Sequence, residues 1–322
     1  MNRFRTLLHA VPLALAALHA APAAAQWEPT RPIRLILPYA SGASTDLAIR
    51  AISDKLAEGL GQPVVIENKA GASGIIGTEI GSKAAPDGYT WIAASDIAFT
   101  ILPHLQKVPY DPIKDFEPVS LISNFPLVVV VNPQLPVHSM KDLVALAKQR
   151  RLTLGTNGNG SSGHLASEEL KAATHIDFTH VPYKGQPQVV TDLIGGRIDF
   201  AFSSVGTIRQ FVQEGRLRAI AVTSDQRIAT MPDVPTTAEA GFPAVDMTVW
   251  IGLMAPATTP KEVIQRVSGE IVKVLKMPDV RARFASFEHT PAAGTPEAMR
   301  ERIATDYPKW GKLIQDAHIT LQ

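Results

Sequence analysis

The chain has 322 residues, no cysteine, and a near balance of 31 basic and 30 acidic side chains. Without cysteine it forms no disulfide and carries no cysteine-linked lipid, so burial of a core must hold it together. The even charge and the absence of any basic run exclude nucleic acid and anionic membrane surfaces as partners.

Segment 1–25 opens with Arg3 and Arg5, runs through an apolar stretch over 7–18, and ends on Ala23-Ala24-Ala25. A charged start, a short apolar middle and a small-residue exit predict a cleavable secretory signal peptide. The apolar stretch falls short of the roughly 20 residues a membrane span needs. The remainder from Gln26 is long enough for two domains. It carries 29 basic and 30 acidic side chains, a net charge near −1.

From Gln26 onward, strand-like and helix-like patterns alternate. Residues 33–37 read as a strand and 48–60 as a helix, with Leu47, Ala51, Leu56 and Leu60 near one face. Strands at 64–67 and 90–94 flank a short helix at 77–84. The scheme repeats with a helix at 141–149, a strand at 152–155 and a helix at 164–173. A strand at 178–181, a helix at 189–194 and strands at 198–202 and 219–222 follow. The part from Lys261 onward is mostly helical. Strand–helix–strand order implies a largely parallel sheet covered by helices. Two longer apolar stretches, 119–131 and 249–255, sit where one alternating block gives way to the next. They read as two crossings between lobes that hinge against each other, or as buried strands of one large sheet. The first reading divides the chain into 26–125 plus 251–322 as lobe one and 126–250 as lobe two.

Three loops share one design: a strand, a Gly- and Ser-rich turn, then a helix. They cover 38–46, 68–74 and 155–164. Free N–H groups and the positive end of the helix favour an anion at such a point. In parallel sheets these turns lie at the carboxyl ends of strands, where ligands bind. Asp46 stands at a helix start, where it caps, faces the pocket, or both. Gly158-x-Gly160-x-x-Gly163 matches a dinucleotide fingerprint, but the acidic residue expected about 20 positions later is missing, which argues against a Rossmann-like enzyme. No Gly-x-Ser-x-Gly elbow and no His-Glu-x-x-His occurs. His175 and His180 do not have metal-ligand spacing. The expectation is a protein with no catalytic residues, no metal and no cofactor.

The order of the motifs resembles one family. They are Pro38-Tyr39 through Gly42, Asp46 and Arg50; Glu67-Asn68-Lys69-Ala70-Gly71-Ala72-Ser73-Gly74; and Ala85-Pro86-Asp87-Gly88-Tyr89-Thr90. Pro109-Tyr110-Asp111-Pro112, His180-Val181-Pro182-Tyr183-Lys184-Gly185 and Pro232-Asp233-Val234-Pro235-Thr236 continue the series. Together they resemble the Bug, or TctC-like, substrate-binding proteins of tripartite tricarboxylate transporters. The resemblance implies a two-lobed α/β periplasmic binding fold of type II-like form, joined by two crossing hinge strands. It implies a periplasmic receptor for a small organic acid, an amide or an aromatic acid. The receptor would be a monomer that hands its ligand to transporter membrane subunits or presents it to a sensor kinase.

Carried onto this chain, the resemblance places Tyr39, Gly42, Ser44, Thr45, Asp46, Ser73, Ser95 and Asp96 at the ligand from lobe one. Gly160, Ser161, His164, Gly185 and Ser203 face them from lobe two. Specificity is expected from cleft-lining side chains such as Tyr39, Phe99 or Phe202. The chain departs from the family pattern at Ala43, where a second Gly is usual, and at Gln186-Pro187-Gln188, where Gly-Gly-x-Pro is usual.

Overall fold

The computed structural model describes residues 27–183 and 185–320. The segment 1–25, expected to be a signal peptide, lies outside them. The first block contains β1 (Ile33–Leu37), α1 (Ser44–Arg50), α2 (Ser53–Leu60), β2 (Val64–Asn68), α3 (Ile75–Ser82), β3 (Thr90–Ser95) and α4 (Leu102–Leu105). The long strand β4 (Phe116–Val131) leads into the second block. That block holds α5 (Met140–Gln149), β5 (Leu152–Thr156), α6 (Ser162–Thr174), β6 (Phe178–Pro182), α7 (Gln186–Ile194), β7 (Phe200–Ser204), α8 (Val205–Gln213) and β8 (Arg218–Val222). The chain returns through β9 (Thr248–Pro256) to α9 (Lys261–Leu275), α10 (Pro278–Ser286), β10 (Thr290–Gly294) and α11 (Pro296–Asp316).

The helix expected over 48–60 is two short helices. The chain turns at Ala51 and Ile52, where Ile52 N–H bonds to Ile49 C=O in place of a regular α-helical bond. Ile49, Ile52, Leu56 and Leu60 are nevertheless buried in one core. The apolar spacing therefore runs unbroken across the joint and hides it from the sequence.

The strands follow the path β2-β1-β3-β9-β4-β7-β5-β6. β1 pairs in parallel with β2 and β3, and β5 pairs in parallel with β6 and β7. β4 joins the two sets. Its residues 116–126 pair with β9, whereas 127–131 pair with β7 and β8. Both sequence readings of the apolar stretches thus hold in part: the ladder is continuous, yet β4 changes partners midway and carries the chain from one lobe to the other. Val129 and Val131 enter the core shared with Leu152, Leu154 and Phe200, while Val128 and Val130 enter the core shared with Val189 and Ile208. Burial on both faces explains an unbroken valine run with no polar alternation.

Helix α11 packs against two of the hydrophobic cores. Met299 and Ile303 pack with Phe99 and Trp250, whereas Trp310 and Ile314 pack into the core that holds Leu152, Leu154 and Phe200. Lys309 lies 2.9 Å from Glu169 on α6. A helix of 21 residues is about 30 Å long, more than one layer of a lobe can cover. Pro308 stands inside α11 between the two contact sets. Having no N–H, it omits one helical bond where the helix passes between lobes.

Candidate ligand site

The cleft between the lobes holds a cavity of about 390 Å³. Lobe one contributes Tyr39, Ala43, Ser44, Thr45, Ser95 and Ile97, and lobe two contributes Asn157, Ser162, Gly163, Gln186, Phe202, Ser204 and Thr207. Phe125, Leu127 and Val249 of the crossing strands form the floor. The described lining contains no charged side chain.

Helix starts supply the electrostatics. Ala43 at the N-cap of α1 has no side-chain oxygen with which to cap the helix. At α6, Ser161 Oγ accepts the His164 N–H, and the N–H groups of Ser162 and Gly163 lie in the first turn without intrahelical acceptors. The starts of α7 and α8 lack side-chain caps as well. Gln186 and Thr207 bring both starts to the cavity. Four positive helix ends around one neutral cavity make a setting that favours a carboxylate.

Tyr39 Oη lies 2.8 Å from Ser95 Oγ. Burial pushes the Tyr39 hydroxyl up to about 12, against the opposing effect of that bond, so it remains neutral. The apolar wall of Ile97, Phe125, Leu127, Phe202 and Val249 would cover a ligand's hydrocarbon body.

The other expected residues sit outside this lining, each for a visible reason. Gly42 lies in an adjoining chamber of about 320 Å³ that shares Ser44, Phe125, Ser204 and Thr207 with the first. An ion pair between Arg209 on α8 and Glu288 after α10, 2.8 Å long, ties the lobes together across that chamber. Asp46 is buried and turned inward. It accepts from Gly42 N–H at 2.8 Å, Arg50 Nε at 2.9 Å and Asn68 Nδ2 at 3.0 Å.

Ser73 is exposed on the 68–74 loop, which packs behind Tyr39 rather than into the cleft. Asn68 of that loop holds Tyr39 C=O and Asp46. Gly160, Ser161 and His164 are buried outside the lining, and Ser162 and Gly163 take the lining positions. Gly185 is the N-cap of α7, and the next residue, Gln186, reaches the cavity. Ser203 points to the opposite side of β7 from the lining residues Phe202 and Ser204, and its Oγ accepts from Gln186 Nε2. Phe99 is buried in the lobe-one core, 6.3 Å from Trp250 in a stacked arrangement.

Asp96 is fully buried at the end of β3. One carboxylate oxygen accepts the Ile97 N–H at 2.9 Å, and the other has no hydrogen-bond partner. Burial, with Asp306 adding and Arg302 opposing, pushes its carboxyl up to about 8. The folded protein therefore keeps a proton that the unfolded chain releases near pH 4. Between about pH 4 and 8 this group makes stability fall as pH rises, by up to about 1.4 kcal/mol per pH unit. Glu169, pushed up to about 8 mainly by burial, adds the same sign. Asp96→Asn is expected to flatten the decline between pH 6 and 8.5 in denaturant titrations. Equal slopes in variant and wild type would contradict the assignment.

Sequence reasoning did not single out Ile97, Phe125, Leu127, Asn157, Thr207 or Val249 for the site. Asn157 stands inside a loop already marked, and Gln186 at a flagged departure. Phe125, Leu127 and Val249 stand in the two apolar stretches read as crossings, whereas Ile97 and Thr207 carry no local signal, because only the juxtaposition of lobes brings them to the cleft.

A model of the tripartite tricarboxylate transporter family receptor, TctC, matches residues 48–319. The chain belongs to this receptor family. BugT of Bordetella pertussis is 34% identical over 310 residues, which is 94% of each chain. Among solved structures, Rpa4515 of R. palustris, determined with adipate, is 32% identical with a TM-score of 0.80, covering 91% of this chain and 99% of its own. MatC from Rhodopseudomonas palustris, determined with bound malate, is 28% identical with a TM-score of 0.76, covering 89% and 99%. The TctC family consists of periplasmic solute-binding proteins and not of enzymes, and the two-lobed fold is theirs. Among the described residues of this TctC-family chain, no helix is long and apolar enough to cross a membrane.

Proposed function

We propose that the protein captures a small carboxylate in the periplasm and delivers it to the membrane subunits of a tripartite tricarboxylate-type transporter. One observation carries the reading: the starts of α1 and α6, on opposite lobes, line the same uncharged cavity. The lobes in this reading are 26–125 with 251–322, and 126–250, the end of α11 docking on the second. Adipate and malate in the two related structures support an organic acid as the ligand class.

The ligand carboxylate would accept from the amides of Ser44, Thr45, Ser162 and Gly163 and from hydroxyls of the lining. N–H bonds to a charged acceptor contribute about 1.5–3 kcal/mol each. A few of them, after ordering costs, reach the roughly 8 kcal/mol of micromolar binding. Binding across both lobes favours the closed arrangement, and closure is the state a membrane partner would recognise.

Calorimetry with C4–C6 mono- and dicarboxylates, aromatic acids and their amides tests the proposal. At least one acid should bind with micromolar Kd, be recovered unchanged, and raise Tm by about 4 °C at a hundredfold excess over Kd. No binding by any member of the panel would refute it.

A further inference from the structure

His164 belongs to the helix that begins at the cavity, yet its ring is buried beneath the loop rather than in the lining. Gly160 N–H donates to His164 Nδ1 at 3.1 Å. An acceptor at Nδ1 requires the neutral ring with its proton on Nε2. The ring stacks on His180, with centroids 3.9 Å apart and planes 22° from parallel. His180 Nε2 lies 2.6 Å from Thr156 Oγ1, and that hydroxyl also donates to Gly158 C=O at 3.1 Å. Two glycines of the loop, Gly158 and Gly160, have positive φ. A side chain at Gly160 would collide with Leu105 of lobe one. The turn is thus held from below by two imidazoles and pressed from above by the opposite lobe.

We infer that His164 is a positioning residue for ligand binding: its Nδ1 fixes Gly160 and thereby sets the turn that presents the Ser162 and Gly163 amides to the cavity. The inference rests on the reading of the α6 start as a ligand seat. Protonation of the ring would place a hydrogen on Nδ1 and break the bond to Gly160. The titratable and charged groups facing the ring are His180 on β6, Glu168 and Lys171 on α6, and Asp177 beyond it. Glu168 Oε1 is 3.8 Å from His164 Nε2, and Lys171 Nζ is 4.0 Å from Glu168 and 3.5 Å from Asp177. Burial, with His180 and Lys171 adding, holds His164 down at about 3, and burial lowers His180 too. The clamp therefore stays engaged from pH 8 down to 5.

Two substitutions separate the acceptor from the ring. His164→Asn places an amide oxygen near the Nδ1 position and removes the ring. His164→Phe keeps a ring for stacking and removes the acceptor. Adipate, malate and benzoate serve as probes in calorimetry at pH 7. Asn is expected to stay within about threefold of the wild-type Kd with Tm maintained, and Phe to weaken binding tenfold or more while remaining folded. The reverse order would overturn the inference, since it would assign the effect to packing.

A ligand-independent readout keeps the two proposals distinct. Nitrogen NMR of wild-type imidazoles should show an unprotonated Nδ1 on His164 from pH 8 to 5. The Gly160 amide should be protected from exchange in wild type and Asn but not in Phe. Those results with no binding of any probe would count against the carboxylate reading while retaining the clamp; an unprotected Gly160 amide in the wild type would remove the clamp itself.

Discussion

Gly163→Val is expected to reduce ligand binding by at least a hundredfold while lobe one stays folded. Gly163 is not required by its backbone angles, since its φ is not in the left-handed region. It is required by proximity. A Cβ at this position would lie 2.9 Å from Phe202 carbonyl oxygen and 3.6 Å from Phe202 Cβ. The nearest obstacle is main chain of β7 and cannot swing aside, so the start of α6 must retreat. Overpacking of this kind costs about 1–3 kcal/mol of stability. Binding should lose more, because Ser162 and Gly163 both line the cavity. Two misplaced charge-assisted bonds are worth about 3–6 kcal/mol. Gly269→Ala is a control. Nothing lies within 4 Å of its added Cβ, and it sits inside α9. Alanine there should stabilise by about 0.5–1 kcal/mol and leave affinity unchanged. Calorimetry and thermal melting of both variants decide the matter. A valine variant that melts earlier yet binds normally would show that the ligand does not sit on α6.

Asp46→Ala is expected to cost about 2–4 kcal/mol of stability and to weaken binding as well. The carboxylate joins three segments: the loop at Gly42, the helix at Arg50 and the end of β2 at Asn68. Removing it leaves three partly buried donors without their acceptor. Arg50 is about half exposed, so its share is discounted for solvent screening. Asn68 also holds Tyr39 C=O, so disorder would spread to the cavity wall.

The pH dependence has a definite sign. Burial raises the Asp46 carboxyl, but bonds from Arg50, Gly42 and Asn68 outweigh it and hold it below the usual carboxylate range. The unfolded chain therefore takes up the proton first as pH drops. The contribution is complete above about pH 4, the unfolded value, and is lost as pH falls through the folded one. Guanidinium unfolding at pH 7 and at pH 3 should show the deficit of Asp46→Ala shrinking in acid. A deficit that is constant across this range would mean that the ionised carboxylate is not what stabilises the loop.

Most elements were legible because their patterns are local. The valine run of β4, the helix spacing of α6 and the glycine-rich turns follow from a continuous apolar run, helical period and turn chemistry. The joint between α1 and α2 was not legible, since Ile49, Ile52, Leu56 and Leu60 keep one apolar period through it.

The site divided along the same line. Ser44, Thr45 and Ser95 reach the cavity from positions the resemblance named, whereas the second lobe presents Ser162, Gly163, Gln186 and Ser204, each one place from an expected residue. Successive helix residues point about 100° apart, and successive strand residues point to opposite faces. A one-residue choice is therefore made by how α6 seats on β7 through Gly163 and by which face of β7 meets the cleft.

By itself the sequence determined that this chain builds alternating α/β layers with helix starts exposed at strand ends, because those features depend on neighbours a few residues apart. Only the tertiary structure decided which side chains meet the ligand space and that α11 docks on both lobes. Those outcomes depend on contacts between segments far apart in the chain, whose relative rotation no local pattern encodes.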